Sequence, residues 1–142
     1  MDFAQRHAIT DVCVLVRDVE RSIAFYTQRL GFKLRRRAEG FADFSGAGLT
    51  LAVWEIRHIG EHTGVKSKDG GGFYNTAIAV ELPTPAEVDA CYAELGAKGI
   101  VFKSAPDNYP WNARCCYFYG PDGEPWELYA WLDGGPVGDV NK

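Results

Sequence analysis

The chain has 142 residues, of which 46% are hydrophobic, and this amount of apolar sequence suffices for one domain with a sizeable core. Its net charge of −4 and its pI of about 5.3 argue against nucleic acid and anionic membranes as partners, because both select basic surfaces. No run approaches the roughly 20 apolar residues needed to span a bilayer, and the start MDFAQRHAIT has no apolar signal core, so we expect a cytoplasmic protein.

The first half of the chain predicts a strand, a helix and three further strands. Residues Ile9 to Val16 form a β-branched run typical of a strand, and Asp18 suits a helix N-cap. Apolar residues follow at helical spacing until Gly31, which predicts the end of the helix. Three short strands are predicted next, at Phe32 to Arg37, Phe41 to Phe44 and Leu49 to Arg57. The basic run in the first of these, Lys33 with Arg35 to Arg37, is interpreted as a solvated strand edge.

The same order of elements then starts again. Gly60 to Gly72 is polar and glycine-rich, which predicts a joining loop. Asn75 to Leu82 reads as a strand, and Thr84, Pro85 and Glu87 form a capping box for a helix that ends at Gly96. Strands are predicted at Ile100 to Lys103, Arg114 to Tyr119 and Pro125 to Trp131, with a hairpin turn at Gly120 to Gly123. An internal repeat of this kind is strong evidence about the fold.

Two motifs at opposite ends of the chain resemble a known family. DVERSIAFYTQRLGF (Asp18 to Phe32) resembles the first-helix pattern of the vicinal-oxygen-chelate superfamily, and GPDGEPWELY (Gly120 to Tyr129) resembles its closing hairpin. This superfamily contains glyoxalase I, bleomycin-resistance proteins and extradiol dioxygenases. The resemblance implies an α+β fold in one domain, residues 1–142, with two βαβββ modules (about 7–59 and 73–133) whose curled mixed sheets surround a cleft, with helices on the outer faces.

The resemblance also implies four strand positions at which metal-dependent members carry their ligands, usually His or Glu. Motif register and strand parity transfer these positions to Asp11, Ala52, Asn75 and Glu127. No histidine is among them, whereas a transition metal prefers imidazole, thiolate or several carboxylates. We therefore expect no cofactor, and a divalent metal only if the protein is an enzyme. Asp11 and Glu127 are then the candidate catalytic acid and base, or alternatively remnants of a metal site. A third use stays open, since a pair of buried carboxylates suits a cationic or hydrogen-bond-donating ligand.

Aromatic residues recur on the strand faces that are predicted to turn away from the helices. We expect a flat small molecule to bind there, because such side chains form stacking cavities. A packed core or a dimer interface explains the same pattern and stays open. The predicted ligand-binding residues are Asp11, Trp54, Asn75, Tyr109, Trp111, Tyr117, Tyr119, Glu127 and Tyr129, with the segment Asp107 to Asn112 covering the site.

Histidine and cysteine offer few other candidates. His58 and His62 are four residues apart, but Gly60 between them favours a solvated loop over a helical metal-binding pair, and His7 is expected at the surface. The four cysteines, Cys13, Cys91, Cys115 and Cys116, show no CxxC spacing, which predicts free thiols. Cys13 and Cys115 fall on the predicted cleft face, and apolar packing is their expected role because no histidine is placed to activate them.

Three functions remain open from the sequence. The first is a metal-free protein that binds or sequesters a planar antibiotic, as bleomycin-resistance proteins do. The second is a metal-dependent enzyme similar to glyoxalase I or to a related lyase or dioxygenase. The third is a protein whose aromatic face serves only as a subunit interface. The missing histidines favour the first, and the resemblance implies a homodimer.

Overall fold

The contacts of the chain divide it into Met1–Gly70, here called module one, and Gly71–Lys142, called module two. The structure is a computed structural model and describes residues 3–65 and 76–133. Module one contains the helices α1 (Phe3–Arg6), α2 (Val19–Ala24) and α3 (Ile56–Thr63), with a π-helical turn at Phe25–Arg29 directly after α2. Its strands are β1 (Asp11–Val16), β2 (Lys33–Ala38), β3 (Phe41–Ala47) and β4 (Leu49–Glu55).

The sheet of module one has the strand order β1-β4-β3-β2, with β1 parallel to β4 and the other pairs antiparallel. Its helix α2 begins where predicted, because the Asp18 carboxylate accepts hydrogen bonds from the backbone N–H groups of Glu20 and Arg21. On the sheet face toward α2 the apolar side chains are buried, and the Tyr26 ring lies 5.7 Å from that of Phe44. The opposite face, called here the helix-free face of module one, carries Asp11, Cys13, Asp43, Thr50, Ala52 and Trp54.

Module two repeats this arrangement. Its elements are β5 (Ile78–Glu81), α4 (Pro85–Ala97), β6 (Asp107–Tyr109), β7 (Ala113–Tyr119) and β8 (Pro125–Trp131). The strand order β5-β8-β7-β6 matches that of module one, and β5 is parallel to β8 as β1 is to β4. The predicted α+β fold of two βαβββ modules is therefore confirmed. No helix within residues 3–65 and 76–133 is long and apolar enough to cross a membrane.

Helix α3 corrects the prediction around Gly60. Residues expected to end a strand (Ile56 and Arg57) and to begin the joining loop (Gly60 to Thr63) form this helix instead, and residues 66–72 of the predicted loop lie outside the described part. Ile59 is buried, and the Thr63 hydroxyl donates to the Ile59 carbonyl oxygen. The helix ends at Gly64, whose φ of 77° suits glycine. His58 and His62 are therefore on a helix and not in a loop.

The strand predicted directly after α4 also differs from its prediction. Ile100 to Lys103, expected as a strand, contributes only an isolated bridge between Phe102 and Phe118. The sheet edge is formed by β6, which lies in the segment that was expected to cover the site. Pro106 and Pro110 flank this short strand and lack the N–H groups that would extend the ladder, which keeps β6 to three residues.

Candidate functional site

Strand pairing gathers aromatic side chains on one face of the sheet of module two. The helix α4 packs on the other face, where Arg114 of β7 forms an ion pair with Asp89 of α4 at 2.8 Å. Alternation then directs every second residue of β7 and β8 away from the helix. The aromatic residues directed this way, together with Tyr109 of β6 and with Trp111 from the turn between β6 and β7, form what we call the aromatic face. Its members are Tyr109, Trp111, Tyr117, Tyr119, Tyr129 and Trp131.

The rings of the aromatic face contact one another in two groups. Tyr109 and Trp111 are stacked with their centroids 4.7 Å apart, and Tyr117 meets Tyr109 edge-on at 6.0 Å. Tyr129 and Trp131 form a second edge-on pair at 5.2 Å. These distances are those of favourable aromatic pairs, so the rings hold one another in place. Tyr119 is the outlier, with 55% of its surface exposed at the end of β7.

Glu127 lies at the centre of this face, where sequence reasoning placed it. It is opposite Tyr117 in the ladder, and the Tyr117 hydroxyl donates to its Oε2 atom at 2.6 Å. Burial and this hydrogen bond raise the pKa of Tyr117 above its usual range. The tyrosine therefore remains a hydrogen-bond donor at neutral pH, and the carboxylate accepts from it.

A second carboxylate on the aromatic face was missed by the sequence analysis. Glu81 of β5 is the ladder partner of Tyr129, whose hydroxyl donates to the Glu81 Oε1 atom at 3.2 Å. The alternation of β5 contained the signal, because Ile78 and Val80 face the helix and Glu81 must then face away. Asp107 of β6 shares this face. No strand residue of β5 to β8 on this face is basic, so its charge is negative.

Cys115 is buried beneath the aromatic face and remains a thiol. Burial raises its pKa, and the hydrogen bond from Trp111, which acts in the opposite direction, does not cancel that effect. Since the thiolate is the reactive form, this residue is not an activated nucleophile. Its neighbour Cys116 faces α4, and burial raises its pKa to about 12. The adjacent thiols thus point to opposite faces of β7 and cannot both coordinate the same atom.

On the helix-free face of module one, the predicted residues have separate surroundings. Asp11 is exposed and accepts a hydrogen bond from the Thr10 hydroxyl. Trp54 is half-buried, and its Nε1 donates to Nδ1 of His58 at 3.0 Å. The His58 ring stacks on that of His62 at 4.1 Å. Trp54 is therefore bound to helix α3 of its own module, which sequence reasoning did not foresee.

The most strongly bonded carboxylate of module one belongs to Asp43, which was also missed. Its side chain is fully buried and accepts hydrogen bonds from the guanidinium groups of Arg35, at 3.1 and 3.0 Å, and Arg36, at 3.0 and 2.7 Å. These bonds, with that from Arg35 the largest, lower the pKa of Asp43 to about 2. The basic run is exposed on an edge strand as expected, but two of its arginines hold a buried anion.

The four family positions do not match a transition-metal site. Ala52 is buried and has no donor atom, while Asp11 and Glu127 already accept hydrogen bonds within their own modules. Asn75 lies outside the described residues. Among the side chains that the structure describes, no three His, Cys, Asp or Glu residues gather in a way that would hold a metal ion. With this donor set we derive no chemistry through a metal.

Comparison with known proteins agrees with the fold and covers most of the chain. A crystal structure of a glyoxalase/bleomycin resistance protein/dioxygenase from Nocardioides is 49% identical, with a TM-score of 0.87 over 95% of this chain and 90% of that one. A trivalent organoarsenical cleaving enzyme from Thermomonospora curvata is 28% identical over 81% of this chain and 72% of its own length. A lactoylglutathione lyase structure from Agrobacterium tumefaciens, 18% identical, shares the fold with a TM-score of 0.69 over 87% of this chain and 92% of that one.

A family sequence model matches residues 8–128, which include the first motif, the second motif up to Leu128, and all eight strands except the end of β8. The chain belongs to the Glyoxalase/Bleomycin resistance protein/Dioxygenase superfamily.

Proposed function

We propose that this protein binds a flat, partly aromatic small molecule on the aromatic face of module two and needs no metal to do so. The observation that carries the proposal is the gathering of five further aromatic side chains on the face that holds the hydrogen-bonded pair Tyr117 and Glu127. Stacking of a ligand on such rings contributes on the order of 1 kcal/mol per ring beyond the burial of area. A role that follows is sequestration of a planar antibiotic, which would resemble that of bleomycin-resistance proteins.

The charges on this face favour a ligand that carries a positive charge or several N–H donors. Glu81, Asp107 and Glu127 are acceptors, and the negative faces of the surrounding rings attract cations as well. A ligand with an anionic group would be repelled by all three carboxylates. We therefore expect an aromatic amine or an amidinium compound to bind more tightly than an uncharged compound of the same shape.

The proposal is tested by thermal unfolding of metal-free protein, in the presence of a chelator, against flat compounds with and without a positive charge. A specific ligand must raise the melting temperature, since binding to the native state at 100-fold excess over the dissociation constant adds about 2.7 kcal/mol. Val14 is buried on the helix side of module one and is not part of the aromatic face, so Val14→Ala serves as a core control. A ligand that still raises the melting temperature of this variant binds independently of the core. Absence of stabilisation by any flat compound would contradict the proposal and leave the subunit-interface reading.

A second candidate is an acid–base reaction on the bound molecule, in which Glu127 accepts a proton and Tyr117 orients the carboxylate. The position of Glu127 in the family's ligand-bearing strand favours it, as do relatives that are enzymes by name. Cleavage of a trivalent organoarsenical is not favoured by the thiols, because Cys115 and Cys116 face opposite ways and cannot chelate arsenic jointly. Turnover that is lost in Glu127→Gln while ligand binding remains would establish the enzyme.

A further inference from the structure

Module one contains a cavity at one end of its sheet, and none of the residues that line it belongs to the aromatic face. It lies where β1 and β4 begin and β3 ends, and its volume is about 410 Å³. Pockets that hold small molecules have volumes of this order. The lining residues are Ile9, Thr10, Arg35, Phe44, Ser45, Gly46, Gly48, Leu49 and Thr50.

Arg35 is the one charged residue in this lining, and its guanidinium group is held in a fixed orientation. Its Nε and Nη2 atoms donate to the two carboxylate oxygens of the buried Asp43, at 3.1 and 3.0 Å. Nη2 also donates to the Thr50 hydroxyl at 3.3 Å. Nη1 forms no hydrogen bond with any residue that the structure describes, and 43% of the side chain is exposed. Two N–H donors therefore remain available beside the cavity.

The charges around Arg35 favour one kind of anion over another. Asp43 is shared with Arg36, so these three side chains together keep one positive charge. Asp11, close enough to raise the pKa of Arg35, offsets that charge. The cavity therefore does not attract polyanions such as phosphate by its net charge. It offers the N–H groups of Nη1 instead, one of which can donate to one carboxylate oxygen, beside apolar lining residues that suit an organic body.

We propose that this cavity binds a small monocarboxylate with an apolar body. The carboxylate accepts from Nη1 of Arg35, and the hydroxyl groups of Ser45 and Thr10 line its surroundings. The apolar body contacts Ile9 and Leu49, which are 84% and 39% exposed and lose water when the cavity fills. This site shares no lining residue with the aromatic face, so the proposal stands or falls independently of the proposed function.

The test is titration of the full chain with benzoate, followed by backbone amide NMR shifts, with benzamide and inorganic phosphate as matched probes. Arg35→Gln removes the free donors, whereas Arg36→Lys changes the other arginine that holds Asp43 but keeps its positive charge and leaves the cavity lining unchanged. We expect benzoate to shift the lining residues, and its affinity to fall by about tenfold or more in Arg35→Gln but little in Arg36→Lys. Benzamide and phosphate are expected not to bind.

Arg35→Lys covers the case in which Arg35→Gln fails to fold. It keeps a positive charge near Asp43 but loses the Nη1 donors that remain while Nε and Nη2 hold Asp43, so benzoate binding should weaken as in Arg35→Gln. The proposal is overturned if benzoate causes no shifts in the cavity, if benzamide binds as tightly as benzoate, or if Arg36→Lys weakens binding as much as Arg35→Lys.

Discussion

Asp43 and Glu127 are carboxylates that both face away from the helix of their own module, yet their neighbours give them different roles. Asp43 is fully buried and accepts from two guanidinium groups, so its charge is held within the fold. Glu127 accepts from an uncharged tyrosine on a half-buried face and has no basic partner among the strand residues of that face. Asp43 is accordingly a structural anion, whereas Glu127 is the carboxylate that we propose contacts the ligand.

Replacement of Asp43 by asparagine should lower stability at neutral pH and change its acid dependence. The loss should be roughly 1–3 kcal/mol, because charge-assisted hydrogen bonds to both arginines are removed. The pKa of this carboxyl is lowered from 3.8 to about 2 in the folded protein, so its contribution is present above pH 4 and is lost as the pH falls from 4 to 2. Urea unfolding of the parent and of the asparagine variant at a series of pH values checks this. If the free energy of unfolding falls equally steeply in both proteins between pH 4 and pH 2, the account is contradicted.

The hydroxyl groups of Tyr117 and Tyr119 provide a matched comparison on one strand. Both lie on the same face of β7, but only the Tyr117 hydroxyl donates to a carboxylate, at 2.6 Å from Glu127. Tyr117→Phe should lower the free energy of unfolding by about 1 kcal/mol, and Tyr119→Phe should leave it nearly unchanged. Equal effects in chemical denaturation would show that the hydrogen bond does not stabilise the fold.

The contact between Gly40 and helix α3 fixes the position of that helix against the sheet. A Cβ atom at Gly40 would lie 2.8 Å from Cβ and 2.9 Å from Cγ of His58, and the φ of Gly40 is 66°. Gly48 has a φ of 86° but open space around its Cα. Gly40→Ala should therefore destabilise the protein more than Gly48→Ala, which reports backbone strain alone, on the order of 1 kcal/mol.

Thermal unfolding of the two alanine variants measures this difference. The excess in Gly40→Ala reflects displacement of His58 and should be accompanied by a change in tryptophan fluorescence, because His58 accepts from Trp54. If both variants lose the same stability, helix α3 does not depend on the close approach at Gly40.

Most elements were predictable because local signals coincide with the fold. Asp18 and Thr84 cap their helices as expected, and Pro125 to Trp131 forms a strand over the predicted range. Helix α3 was missed because Gly60 interrupts its sequence, although the buried Ile59 and its neighbours at helical spacing support a helix. Strand β6 was missed because Asp107 and Asn108 are turn formers and pairing with β7 overrides that preference.

The site was predictable where parity along one strand decides the direction of a side chain. Tyr117, Glu127 and Tyr129 lie on the predicted face for that reason. Asp43 requires a pairing register as well: a hairpin that turns near Gly40 places Arg36 opposite Asp43. That register was available from the turn, but the bulge between Leu34 and Arg36, which allows two arginines to reach one carboxylate, was not.

At the scale of the whole chain, two modules with one strand order have diverged in their helix-free faces. Module one carries an ion-paired carboxylate beside a cavity, and module two carries an aromatic face with acceptors. A shared topology fixes the backbone positions but not the chemistry that each position supports. The two faces are therefore expected to bind ligands of opposite character.

The assembly state stays a prediction, and we expect a homodimer because members of the family commonly pair modules from two chains or within one, and a partner chain often completes the cleft. Sedimentation velocity at micromolar concentration checks this directly. A single species at twice the mass of the 15.7 kDa chain is the expected result, and monomer throughout that range would contradict it.

The central claim is that the aromatic face binds a ligand, and the dissociation constant of a flat cationic compound tests it most directly. Calorimetric titration should compare the parent protein with Trp111→Ala and with Trp126→Phe, since Trp126 is buried on the helix side of the same sheet. The account predicts that Trp111→Ala weakens binding by about tenfold, the loss of a stacking partner, while Trp126→Phe changes it little. Equal affinity in the parent and Trp111→Ala, or a greater loss in Trp126→Phe, would contradict it.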